Sequence, residues 1–268
     1  MKSIAYLGLF LSLFSNIFAD KSSEPVVTAE KYIAYKTKQK HISEFTAPKT
    51  ILICYQTSSL KHLLATNPSL KPCASFDNLY LTDDGQVGIF GGWGWGAPAL
   101  AARIEQLIAL GSKRFLAVGT AGTLCNKHPI GSYIISPKAL AEDGVAQHYL
   151  QNKTYGSADE KMITSWNAFA KSQKLPDFQT ANAWSFSAIY KETPAAISRV
   201  TKLGYDVVEM EAATLYAIGE EKQVQTLSLF VISDSITLDD WQPHIKEPAV
   251  RDNLHKLVNW ALEYCKKE

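Results

Sequence analysis

The stretch LSLFVISDS occupies residues 227–235. Apart from Ser228 its first six residues are apolar, and it ends in Ser233, Asp234 and Ser235. A short apolar run that stops abruptly in polar residues reads as a strand buried on both faces, with its polar end emerging at a sheet edge. FLAV (115–118) has the same character and runs into GTAG (119–122), and ILICY (51–55) is a third such run. Between these runs the period changes. In residues 97–110, Leu100, Ile104, Leu107 and Ile108 fall on one helical face, Pro98 suits the first turn and Gly111 the stop. Further strands are expected at 86–90, 133–136, 181–185 and 206–208, and further helices at 160–171, 194–203, 211–221 and 251–266. Strands alternating with helices imply an α/β layer fold with a largely internal sheet. Its ligands are expected where the apolar strands end in Gly, Thr, Ser or Asp.

The bulk properties agree. Of 268 residues 46% are hydrophobic and 20% charged, enough for a sizeable core. The formal net charge of +1 advertises neither nucleic acid nor an anionic membrane surface as a partner. The first residues differ from the rest. Met1 and Lys2 precede an apolar run over 4–18, and Ala19 then meets the polar DKSSEP. This is the pattern of a secretory signal peptide, residues 1–19, and it predicts export to the periplasm or beyond, with no membrane attachment after cleavage. Residues 20–48 read as a polar, loose or helical arm, and 49–268 as one domain. Export would place Cys54, Cys73, Cys125 and Cys265 in an oxidising compartment, where either disulfides or free buried thiols are compatible with the sequence. No C-x-x-C pair is present and no metal is expected.

Four stretches could carry chemistry. GGWGWGA (91–97) lies between a strand and a helix, and Gly92, Gly94 and Ala97 match a loose dinucleotide fingerprint. The ribose-binding acid that such a site needs about 20 residues on is absent. The glycines still offer bare N–H groups to an anion or a hydroxyl, or simply make a tight turn packed by Trp93 and Trp95. GTAG allows close backbone approach and adds the Thr120 hydroxyl. VEMEAATL (208–215) sets Glu209 and Glu211 around Met210 where a strand becomes a helix. Carboxylates at a helix start suit the helix dipole, but two acids flanking a methionine also suit a sugar, whose diol they can accept and whose face the thioether can pack. Asp234 in ISDS is either a helix cap or a half-buried proton donor. An esterase is disfavoured because no G-x-S-x-G elbow occurs, and no H-E-x-x-H spacing is present.

GAPALAARIEQLIALG, VGTAGTL, VEMEAATL and FVISDS, in this order and spacing, resemble the purine nucleoside and uridine phosphorylase family and its methylthioadenosine-cleaving hydrolase relatives. DGVAQHY (143–149) is similar to a uridine phosphorylase segment. The resemblance covers about residues 50–262. It implies a three-layer α/β/α sandwich with a twisted, mixed central sheet, a homo-oligomer, and cleavage of the N-glycosidic bond of nucleosides with no cofactor beyond phosphate as a possible co-substrate. It also implies that Glu211, with Met210 and Glu209, holds the ribose. Trp184 and Phe186 would stack the base, Asp234 would protonate it, and Thr120 with Gly92 would line the phosphate or water pocket.

The departures concern phosphate. The first loop, CYQTSS (54–59), lacks the arginine of the phosphorylases and the glutamate of the hydrolases. Ser59 and Ala117 stand where arginines are expected, and residues 78–82 contain none. Ser187 replaces an aspartate of the base segment. Lys61 and His62 compensate only if their helix turns them inward. Phosphate recognition relies on fixed charge, commonly bidentate arginine, so the sequence predicts weak phosphate dependence. The other reading is an exported nucleoside-binding protein that has lost turnover.

Overall fold

A computed structural model describes residues 25–39, 43–125 and 127–268. The expected signal peptide, residues 1–19, lies outside them. In chain order the elements are α1 (Ala29–Lys38), β1 (Thr50–Cys54), α2 (Thr57–Thr66), β2 (Lys71–Pro72), β3 (Leu79–Leu81), β4 (Val87–Gly91), α3 (Ala97–Ala109) and β5 (Arg114–Thr123). There follow β6 (Tyr133–Ser136), β7 (Lys138–Glu142), β8 (Tyr155–Ser157), α4 (Glu160–Ser172), β9 (Phe178–Thr180), β10 (Ala183–Phe186), α5 (Pro194–Lys202) and β11 (Val207–Glu209). The chain closes with α6 (Ala212–Lys222), β12 (Gln225–Ile236), β13 (Trp241–Pro243) and α7 (Pro248–Lys267).

The strands form one mixed sheet between helices, as expected, and its core is the apolar runs themselves. Ile51–Cys54, Phe115–Val118 and Leu229–Ile232 are all 0% exposed. Burial on this scale, at about 25 cal/mol per Å² of apolar surface, is the main favourable term for such a fold. The helix α3 packs against α6, and α7 lies along β1, β5 and β12. The apolar stripe of α3 (Leu100, Ile104, Leu107) is fully buried. Pro98 sits in its first turn, where a missing N–H leaves no hydrogen bond unmade. The polar arm contributes α1, which buries none of its residues. No described helix is long and apolar enough to cross a membrane.

One feature of the sheet positions everything that follows. GTAG does not follow the strand but lies inside it, because β5 continues to Thr123. Over its first half β5 pairs in parallel with β1, ending at Cys54↔Val118. Over its last two residues it pairs antiparallel with β11, at Gly122↔Val208 and Thr123↔Val207. β12 runs beside it throughout. The edge of β5 is therefore without a strand partner across Gly119–Ala121, where β1 has ended and β11 has not begun. An unpaired stretch of a central strand leaves backbone groups that loops or a ligand must satisfy.

Candidate active site

Two chain segments reach the gap at Gly119–Ala121. From the β1 side comes the first loop. Tyr55 donates its N–H to the Val118 carbonyl at 3.0 Å, and Gln56 donates Nε2–H to the Thr120 hydroxyl at 2.9 Å. A side chain at residue 119 would meet Tyr55 at 2.7 Å, which explains the glycine there. The other end of the Gln56 amide, Oε1, is buried without a partner. From the β11 side come Met210 and Glu211. The Val208↔Gly122 register, continued antiparallel, brings Met210 level with Thr120.

Glu211 stands at the N-cap position of α6. Its carboxylate reaches across to the glycine loop and accepts the Gly96 N–H at 2.6 Å. Gly96 is itself the N-cap of α3, with φ at +83°, a conformation that favours glycine. The anion that this helix N-terminus takes is thus the chain's own carboxylate. The Met210 methyl lies 3.7 Å from where a Gly96 side chain would begin. Burial pushes the Glu211 carboxyl up to about 7, against the downward pull of the Gly96 and Met210 N–H groups. The other glycine-loop expectations divide. Trp93 stacks on Phe90 at 4.4 Å, whereas Trp95 is 78% exposed. Gly92 is exposed with φ at +81°, near Leu60 and Asn78 and no cationic group.

Two expected roles are corrected. Glu209 is not a free sugar ligand. One oxygen accepts the N–H groups of Glu211 and Ala212, both at 2.7 Å, and the other accepts the Ser185 hydroxyl. It caps α6, and burial with the neighbouring charge of Glu211 raises its carboxyl to about 8. Trp184 is not a base-stacking surface. It is fully buried among Leu140, Ile197, Val200 and Val208, and its indole N–H donates to Glu142 at 2.8 Å. Strand alternation turns Trp184 inward with Val208, its partner in the register. Phe186 stacks on Trp184 at 4.5 Å and remains half-buried at the edge of the same apolar cluster.

Asp234 lies on the opposite side of the gap. A bulge at Ser233 shifts the β12 register so that Asp234 pairs with Gly122. Its Oδ2 would be 3.2 Å from a side chain at Gly122, and Thr120 and Gly122 alternate onto one face of β5. Asp234 is 9% exposed. Its Oδ1 accepts the Ser233 hydroxyl at 2.7 Å, and Oδ2 accepts the Trp241 indole N–H at 2.9 Å. Sequence reasoning missed its neighbour. Burial, and then the charge of Asp234, lift the Glu192 carboxyl to about 7. Only an isolated glutamate marks that position in the sequence, in a 3-10 turn that no periodicity announces.

No arginine of this chain is placed to hold an anion in the gap. The sequence contains four. Arg103 lies over Phe76, Arg114 pairs with Glu268 at the far end of β5, Arg199 pairs with Glu142 and Arg251 with Asp252. Ser59 and Ala117 are fully buried. Lys61 is exposed. His62 turns toward α7, where it stacks on His255 at 4.0 Å and meets Asn259 at 3.1 Å. In DGVAQHY, Asp143 caps a turn by accepting the N–H groups of Val145 and Ala146, and Ser187 donates to its carbonyl. The four cysteines are free thiols. A surface cleft of about 540 Å³ beside Lys153 and Glu220 contains none of these groups.

Residues 79–263 match the family model described as "Phosphorylase superfamily". The chain is 25% identical over 174 residues to the purine nucleoside phosphorylase DeoD-type 1 of Shewanella oneidensis, covering 64% of this chain and 72% of that protein. Among solved structures it is similar to a purine nucleoside phosphorylase from Toxoplasma gondii in complex with immucillin-H. The TM-score is 0.72 at 16% identity, over 82% of this chain and 91% of that one. It is also similar to the Campylobacter jejuni 5'-methylthioadenosine/S-adenosyl homocysteine nucleosidase, with a TM-score of 0.69 at 16% identity, over 83% and 100%.

Proposed function

From the premise that this chain belongs to the phosphorylase superfamily, we propose that it cleaves the N-glycosidic bond of ribonucleosides with water as the preferred attacking group. The observation that carries the reading is the Glu211 carboxylate, held by the Gly96 N–H beside Met210 at the open edge of β5. A carboxylate so placed accepts two hydroxyl hydrogens of a ribose diol, and the thioether packs on the sugar. As the glycosidic bond breaks, positive charge grows on the ribose and negative charge on the base. A proton delivered to the base helps it leave. Asp234, paired with Gly122 at the sheet edge, is assigned that proton transfer, and Glu192, its carboxyl lifted to about 7 by burial and the charge of Asp234, is a second candidate donor.

Three features favour water over phosphate. The pocket supplies hydroxyl, amide and backbone groups but no guanidinium, and a charge-assisted bond is about twice as strong as a neutral one. The N-terminus of α3, which would otherwise attract an anion, already holds Glu211. The unpartnered Gln56 Oε1 adds a third element, since a water can donate to it and keep a lone pair for the anomeric carbon.

The test is product analysis over a phosphate titration with a panel of ribonucleosides. Free ribose without phosphate, with a rate that rises little as phosphate is added, is the expected result. Saturation at micromolar phosphate with ribose 1-phosphate as product would overturn the choice of nucleophile. Binding without release of base would favour a nucleoside-binding protein instead. The Met1–Ala19 segment further supports export, and a mature chain starting near Asp20, found by mass spectrometry outside the cytoplasm, is the expected outcome.

A further inference from the structure

Beyond Thr123 the chain turns away from the sheet, and a second cluster forms there that the nucleoside reaction does not use. Leu124 donates its N–H to the carbonyl of Asp206 at 2.8 Å, and the Thr123 hydroxyl donates to the carbonyl of Cys125 at 2.6 Å. These bonds tie the loop after β5 to the residue before β11. They gather Cys125 Sγ, a His128 ring nitrogen and an Asp206 carboxylate oxygen within 4.8 Å of one another.

His128 gives the cluster its meaning. It is 6% exposed, and its Nδ1 lies 2.6 Å from Gln179 Oε1. An amide oxygen only accepts, so Nδ1 carries a proton, and in the neutral ring Nε2 presents a bare lone pair. That Nε2 is buried and has no hydrogen-bond partner. It faces Asp206 Oδ2 across 3.7 Å, too far for a hydrogen bond. The Nε2 lone pair faces a carboxylate and no donor, and a cation between the two satisfies both. Lys127 Nζ, 3.4 Å from the same Oδ2 but 72% exposed, supplies partial compensation from solvent. It is free to swing away.

We propose that Cys125, His128 and Asp206 bind one zinc-type divalent cation, with water in the fourth position. The donor set is one sulfur, one imidazole nitrogen and one carboxylate oxygen, which suits zinc better than magnesium or calcium. Bonds of about 2.0–2.3 Å around a tetrahedral ion leave donor atoms roughly 3–4 Å apart, so the present spacing closes with shifts of about 1 Å. Gln179 completes the arrangement by fixing the histidine tautomer, the usual task of an outer partner. Cys125 coordinates as its thiolate, so coordination replaces the S–H bond with an S–metal bond and releases the proton to solvent. The site lies past the Asp234 end of β5, and its ligands are separate from the groups assigned to the nucleoside.

The experiment is titration of the full, metal-stripped chain with cobalt(II), then displacement by zinc. One equivalent of cobalt should bind with a thiolate-to-cobalt charge-transfer band and release one proton, and zinc should abolish the band. Cys125→Ser should remove the band while the protein stays folded. Gln179→Ala should weaken binding by roughly 10–100-fold. Asp206→Asn, at a partly exposed position, provides a ligand variant that does not depend on refilling the buried His128 site. Absence of the band with cobalt in excess, or a band that survives Cys125→Ser, would overturn the proposal, since the second result would assign the thiolate to another cysteine.

Discussion

Replacing Glu211 by glutamine separates sugar binding from folding, because the two effects have opposite signs. In the proposed reaction the carboxylate accepts two diol hydroxyls while it holds the Gly96 N–H. Charged hydrogen bonds contribute about 1.5–3 kcal/mol each. Glutamine keeps one acceptor oxygen, which Gly96 engages, and turns an NH2 toward the hydroxyls. Losing or halving both diol contacts removes roughly 3–5 kcal/mol, or about 10²–10⁴ in kcat/KM. Stability moves the other way. A carboxyl raised from 4.5 to about 7 by burial favours folding while it is protonated. That contribution is complete below about 4.5 and is lost as pH rises to about 7, leaving the native protein of order 3 kcal/mol less stable at pH 8 than in acid from this group alone. Glu211→Gln removes the loss. At pH 8 the variant should melt no lower than the native chain, and its discrimination against a 2′-deoxynucleoside should vanish. The assay is base release from a ribonucleoside and its 2′-deoxy analogue, with thermal unfolding of both proteins at pH 5 and 8. A variant within about threefold of native kcat/KM, with the deoxy discrimination intact, refutes the sugar assignment.

On the proposed mechanism, with Glu192 as the donor, the pH profile of kcat/KM should be a narrow bell near 7, Glu211 losing its proton to accept the diol and Glu192 keeping its own for the base. Glu192→Gln should abolish the alkaline limb and leave the acid limb in place; an unchanged alkaline limb would remove Glu192 from the proton path. Glu209→Ala should destabilise the fold by roughly 2–5 kcal/mol in urea unfolding, because a helix cap contributes about 1 kcal/mol and the buried donors left behind add about 1–3 kcal/mol each. Unchanged stability with weakened sugar binding would return Glu209 to the ribose.

What the sequence conveyed and what it concealed follow one physical division. The long apolar strands and the amphipathic α3 were legible because burial imposes period 2, unbroken apolarity or period 3.6 over many residues. The end of β5 was not legible. GTAG has the composition of a loop, yet the residues lie in a strand because β12 pairs with them along their whole length, and small side chains are required where Tyr55 packs on Gly119. Motif reading placed Glu209 and Glu211 together at a sugar because they are two residues apart. Backbone geometry separates them, since one carboxylate turns back to cap its own helix and the other crosses to a helix begun 115 residues earlier. Trp184 failed for the same reason: a side chain's facing follows from strand register, which the local text does not contain. The Cys125, His128 and Asp206 cluster was invisible because Cys-x-x-His is half a motif, and its third member arrives just before another strand, through the pairing of Thr123 with Val207.

The missing arginines and the raised carboxyls have a common origin. A guanidinium within about 4–6 Å of a buried acid stabilises its ionised form and lowers its pKa by about 1–3. In a site that grips phosphate with several arginines, a neighbouring sugar-binding glutamate is ionised across the whole neutral range. Here the arginines are spent elsewhere, on Glu268, Glu142 and Asp252, and burial outweighs the Gly96 and Met210 N–H groups at Glu211, raising its carboxyl to about 7. On the proposed function, weak phosphate use and a pH-sensitive sugar grip therefore share one electrostatic origin. An enzyme of this kind gains sugar affinity as pH rises through 7, whereas an ionised phosphate meets the added negative charge of Glu211 over the same interval. Any residual phosphorolysis should consequently decline relative to hydrolysis as pH rises from 6 to 8, with the ratio of ribose 1-phosphate to ribose falling. In the Glu211→Gln variant that ratio should not change with pH. A ratio that rises with pH, or that falls equally in the variant, would place the controlling charge somewhere other than Glu211.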